Sequence, residues 1–163
     1  IQHAVPFLVL ALAIVAILGA AFGNLVFALG ISGWVSYSRS VRGEALVLRR
    51  REFVEAARAT GASTGRILVR HFLPNLLPSA IIVASAEMGQ IILAEASLSF
   101  LGLGLPPSIP TWGTMVADGR DIVSVAWWVS AFPGLALFVT VLGFSLFGDW
   151  LREVFDPMLR WEA

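Results

Sequence analysis

The chain has 163 residues, 58% of them hydrophobic and 13% charged, with no formal net charge. A soluble domain of this size needs more polar surface, so the solvent for much of this chain is expected to be lipid. There is no cysteine, which excludes disulfides and thiolate metal sites, and no lysine, which excludes a Walker-type phosphate loop. Every basic residue is arginine, and eight of the eleven lie between Arg39 and Arg70.

The sequence opens at Ile1 inside an apolar run, without the charged start and cleavage site of a signal peptide. It reads as a fragment whose upstream part is missing. Residues 1–38 carry no Asp, Glu, Lys or Arg. That is too long for one span, because a hydrocarbon core of ~30 Å takes ~20 helical residues. Gly23-Asn24 is the expected break, giving spans over about 4–22 and 25–38. Small residues such as Gly19, Ala20, Gly30 and Gly33 crowd this pair, as close helix packing in lipid prefers. Trp34 and Tyr37 suit an interfacial belt.

Residues 39–73 form a polar loop. Its arginine excess places it in the cytoplasm by the positive-inside rule. Within it, Glu52 to Thr60 is rich in strong helix formers, and Gly61 stands at the position past a helix end that tolerates positive φ. Ser63 or Thr64 is then placed to cap a second short helix running through Phe72. A third span is expected over 74–97. Residues 98–126 hold Gly102, Gly104, Pro106, Pro107 and Pro110, turn chemistry that suits an external loop, with a short helix near Thr111 to Ile122. A fourth span over 127–147 starts at Trp127 and Trp128, and the chain returns to the cytoplasm with Arg152 and Arg160. The expected class is an all-α integral membrane protein with about four spanning helices. The alternating segments of ~10 residues that build a membrane β-barrel are not seen.

The polar loop carries a specific pattern. Glu55-Ala56-Ala57 is followed by three residues and Gly61, and then, after nine more, by His71 and Leu73-Pro74. This resembles the Glu-Ala-Ala loop of ABC-transporter permeases at every fixed point but one, His71 standing where an aliphatic residue is usual. Leu93 to Gly104 (LAEASLSFLGLG) resembles a stretch typical of the dipeptide, oligopeptide and nickel importers. The similarity to the C-type permease subunit of that family covers nearly the whole chain.

The resemblance implies a single domain over 1–163, a partial type I importer transmembrane domain with a cytoplasmic coupling-helix loop. Such a subunit lines half of a translocation pathway across the bacterial cytoplasmic membrane, here for peptides, with nickel as the alternative cargo. It is not itself an enzyme and holds no cofactor; ATP is bound by partner subunits. The implied partners are a second permease, two ATP-binding subunits, an extracytoplasmic solute-binding protein and membrane lipid. No nucleic-acid partner is expected, because basic loops beside spans follow from topology alone and acids interrupt this one.

The resemblance assigns Glu55, Ala56, Ala57, Arg58 and Gly61 to docking of the ATP-binding subunit. Small alanines let a helix seat in a groove, and Glu55 with its arginines supplies charge-assisted contacts. Glu87 and Glu95 are acids inside a span, where ionisable groups are costly and usually face a bundle interior or a water-filled cavity. Eight residues apart, they fall on roughly one helix face and are candidates for lining the pathway. An ion-coupled carrier built around these two acids is the competing class, which has no need of a docking platform. Trp112 and Arg120 are candidates for an external rim, with an interfacial anchor as the plainer role for Trp112. His3 and His71 have no metal-ligand spacing.

Overall fold

The computed structural model describes residues 5–155. The described residues form helices and connecting turns, without a strand. Helix α1 (Phe7–Leu18) starts behind Pro6 and stops at Gly19, whose φ of 87° favours glycine. Asn24 then donates from its side chain to the carbonyls of Leu18 and Gly19, at 2.7 and 3.1 Å, satisfying acceptors that the helix end leaves open. The break therefore falls at Gly19 to Ala21, before Gly23-Asn24, and both of those residues lie in the first turn of α2 (Phe22–Leu48).

Helix α2 has 27 residues. It does not stop at residue 38 but carries Arg39, Arg42 and Glu44 for three more turns. Charge is no helix terminator, and Arg, Glu, Ala and Leu are all good helix formers. Helix α3 (Glu52–Ala59) and the short α4 (Thr64–Ile67) follow. A π-helical turn, Leu68–Phe72, then leads directly into α5 (Leu73–Phe100). The expected separation at Pro74 is absent: α4, the π turn and α5 form one 37-residue helix, Thr64–Phe100. Pro74 has no N–H and its ring would crowd the carbonyl four residues back. The chain accommodates this by widening one turn, in which the Leu73 N–H bonds the carbonyl of Leu68, five residues earlier.

Gly102, with φ of 75°, ends α5. Helix α6 (Trp112–Arg120) opens on a reciprocal cap: Thr114 N–H donates to Thr111 Oγ1 at 3.2 Å and Thr111 N–H to Thr114 Oγ1 at 3.0 Å. Helix α7 (Trp128–Phe155) completes the described chain.

Helices α1, α2 and α5 share a core of Ala11, Val15, Leu25, Ala28, Leu29, Ala94 and Leu98. Helix α5 also packs along α7 and α6, and α6 along α7. These contacts are made by small residues. A Cβ on Gly89 would meet Val141 Cγ1 at 3.3 Å, and one on Gly148 would meet Ser85 Oγ at 3.0 Å. Without a hydrophobic drive between helices in lipid, such close backbone approach supplies the packing. Helices Thr64–Phe100 and Trp128–Phe155 are long and apolar enough to cross a membrane, and only 11% and 6% of their most apolar windows are buried. They are therefore not the core helices of a water-soluble fold. The protein is an all-α integral membrane protein.

Candidate functional site

Helix α3 is held by one side chain and displayed by the rest. Val54 is completely buried, while Glu52, Phe53, Glu55, Ala56, Arg58 and Ala59 are exposed and Ala57 is half-buried. Glu52 and Glu55 lie in the first turn and Arg58 in the last, each favourable against the helix dipole. The outward face is a short strip of small side chains between opposite charges.

The end of α3 is closed by backbone bonds. Ala62 N–H donates to the Ala57 carbonyl at 3.0 Å and Gly61 N–H to the Arg58 carbonyl at 2.9 Å, with Gly61 at φ 78°. This is a Schellman turn, and Gly61 occupies its left-handed position. Ser63 caps α4 by accepting from Arg66 N–H at 3.4 Å. Phe53 on α3 and His71 in the π turn stand 5.9 Å apart between ring centroids, so α3 touches the foot of the long helix. His71, the one departure from the family pattern, is thus the residue that carries this ring contact.

Arg49, Arg50, Arg51 and Arg58 line an open cleft of about 740 Å³ with Glu55, Leu46 and Val47. Among the described residues none of these four guanidinium groups is ion-paired. The cleft beside α3 is therefore strongly positive and suits an acidic protein surface. One turn deeper, Glu44 of α2 accepts a hydrogen bond from Ser79 Oγ of α5, which ties the two long helices together at this end.

The two acids of α5 do not act as a pair. Glu95 accepts from Ser99 Oγ at 2.6 Å, near the end of the helix that faces α6. Glu87 lines a separate cavity of about 220 Å³ between α1, α2 and α5, with Ser32, Ser36 and Gln90. Their eight-residue spacing turns the helix by ~80° at 100° per residue, enough to send the two carboxyls to different neighbours. Trp112 and Arg120 both lie on α6. Trp112 is exposed; Arg120 sits 5.9 Å above the Phe100 ring and 3.3 Å from Asp121 Oδ1. His3 lies outside the described residues.

Sequence reasoning missed Ser32, Gln90, Phe53 and Glu44. A lone serine, glutamine or phenylalanine in an apolar helix gives no signal until the partner helix is placed. Glu44 was legible in principle, as an acid between Arg42 and Arg49.

A family model described as "Binding-protein-dependent transport system inner membrane component" matches residues 1–161. The chain is 43% identical over 160 residues to the glutathione transport system permease protein GsiD of Escherichia coli O1:K1 / APEC. The protein of the same name from Shigella flexneri serotype 5b (strain 8401) matches to the same degree. In each case 98% of this chain is covered but 53% of the relative. The chain spans about half the length of the curated relatives it matches.

Proposed function

The chain belongs to the family of binding-protein-dependent transport system inner membrane components, and from that premise we propose that it forms half of the translocation pathway of an ATP-driven peptide importer. The observation that carries this reading is the build of α3. It is a short helix with an exposed Glu55-Ala56 face, closed by a glycine turn and joined through a π turn to a long apolar helix. Residues 39–73 lie in the cytoplasm on this reading, as their arginines favour. On this reading α2, α5 and α7 cross the bacterial cytoplasmic membrane, and α1, 12 residues long, packs against α2 within it.

Glu55, Ala56, Ala57, Arg58 and Gly61 then seat α3 in a groove of an ATP-binding subunit. Two such subunits, a second permease and an extracytoplasmic solute-binding protein complete the assembly, with Trp112 and Arg120 on the outer rim. ATP is held by the partners, and this chain catalyses nothing itself. When the ATP-binding pair closes, α3 moves as a rigid body. Thr64–Phe100 is one helix, so a displacement at its foot reaches α5 without crossing a loop. The Phe53–His71 contact joins α3 to that foot.

The relatives are named for glutathione, itself a tripeptide, which supports a small peptide as the cargo. The test is uptake by vesicles carrying the full-length subunit with its co-encoded partners. Small peptides, glutathione among them, are expected to accumulate only with internal ATP. ATP-driven uptake of nickel without any peptide would replace the cargo, and uptake driven by an ion gradient without ATP would overturn the reading.

A further inference from the structure

We propose that the Glu87 cavity is a binding site for a protonated primary amine, the amino terminus of the transported peptide. The inference rests on the importer reading for its cargo, but the site itself is argued from its walls.

Glu87 is only partly exposed, and no hydrogen bond or ion pair from the described residues reaches its carboxylate. An acid in an apolar helix without such a partner is costly, and its compensation is expected from what enters the cavity. Ser32 and Ser36 stand one turn apart on α2, and Glu87 and Gln90 three residues apart on α5. Each pair shares a helix face. The four polar side chains therefore line one cavity, alongside Phe7 and Gly33. Ser32 Oγ is buried without a hydrogen-bond partner, the one such side-chain atom among the described residues. That hydroxyl is closed off from the cavity, and the accessible hydroxyl on this wall is that of Ser36.

The donor set selects the ligand. A primary ammonium has three hydrogens to give and one positive charge. The cavity has one carboxylate to neutralise it, with serine hydroxyl and glutamine amide oxygens as neutral acceptors. Among the described residues that line the cavity there is neither a histidine nor a second acid, so the described wall offers an ammonium one charge partner, Glu87. At about 220 Å³ the cavity has room for roughly seven waters at ~30 Å³ each, enough for an ammonium and the terminal residue that bears it. Glu95, committed to Ser99, offers no comparable site.

The experiment is protection of Glu87 from dicyclohexylcarbodiimide in the full-length permease, purified with its partner subunits in lipid vesicles. The reagent must reach the Glu87 carboxyl through the cavity, so a peptide ammonium seated against that carboxyl blocks it. Labelling at Glu87 and Glu95 is read by peptide mass spectrometry with dialanine or N-acetyl-dialanine present. Dialanine at about ten times its dissociation constant should lower Glu87 labelling about tenfold by mass action. N-acetyl-dialanine, with no ammonium, should leave it unchanged, and Glu95 should respond to neither. A Glu87 that is never labelled, or is labelled equally with both peptides, overturns the proposal. Protection that persists in a protein lacking ATP-driven uptake would refute the importer reading and leave the amine site standing.

Discussion

Replacing Gly61 by proline should strip the permease of its ATP-binding subunit while leaving it in the membrane. A Cβ at Gly61 would meet nothing within 4 Å, so the effect is not one of space. It lies in the backbone. Gly61 sits at φ 78°, and proline is fixed near −65°. Proline also removes the N–H that bonds the Arg58 carbonyl. The turn cannot survive, and α3 can no longer be held at its present angle to the long helix. Even alanine, which only has to adopt the left-handed conformation, loses ~1–2 kcal/mol there. Since 1.4 kcal/mol is a factor of ten, co-purification of the ATP-binding subunit should fall more than about tenfold for Gly61→Pro, with Gly61→Ala intermediate. Retention of the partner at wild-type level by Gly61→Pro would mean that the turn does not orient the docking helix.

The second large effect is expected at the opposite end of the molecule. A Cβ on Gly113 would stand 2.8 Å from Ala96 Cα and 2.8 Å from Ser99 Cβ, and one on Gly119 would stand 2.8 Å from the Ser130 backbone nitrogen. These neighbours are largely backbone and cannot rotate away. The two glycines let α6 lie against α5 and α7, and the bond from Ser130 Oγ to the Val116 carbonyl, 3.1 Å, fixes it there. Gly113→Val should therefore force α6 off α5. Overpacking typically costs ~1–3 kcal/mol, and more where backbone must move. A clear drop in the thermal midpoint of the detergent-solubilised complex is expected, together with new protease sensitivity between residues 101 and 127. A Gly113→Val protein as stable as wild type would show that α6 does not lie against α5 in the assembled transporter.

Local signals in the sequence carried part of the fold. Gly61 as a helix stop, Ser63 as a cap and a short helix starting near Thr111 all follow from backbone and capping chemistry, and the structure has each of them. The long helices were legible as apolar, but their ends were not. The first break depends on Gly19 taking positive φ, whereas Gly23, which looked equivalent, is helical. Helix α2 runs on through Arg39, Arg42 and Glu44 because polarity marks exposure and not the end of a helix. The π turn needs the clash of Pro74 with the turn before it, which a pattern of apolar residues does not encode.

The candidate sites divide in the same way. The α3 face was legible because its residues are contiguous. The acids of α5 were legible as acids, but their surroundings were not, since Ser32 and Ser36 join Glu87 and Gln90 in one cavity only after α2 and α5 pack. Gly113 and Gly119 fall inside the short helix expected near Thr111, but they are packing residues whose meaning depends on the helices they touch.

The central claim is that the exposed face of α3 docks an ATP-binding subunit. This chain has no cysteine, so Ala56→Cys introduces a single thiol within it, on that face. The measurement is the rate of maleimide labelling at position 56 in the full-length subunit, with and without its ATP-binding partner. The account predicts rapid labelling of the permease alone and near-complete protection when the partner is bound. Equal labelling rates in both samples would contradict it.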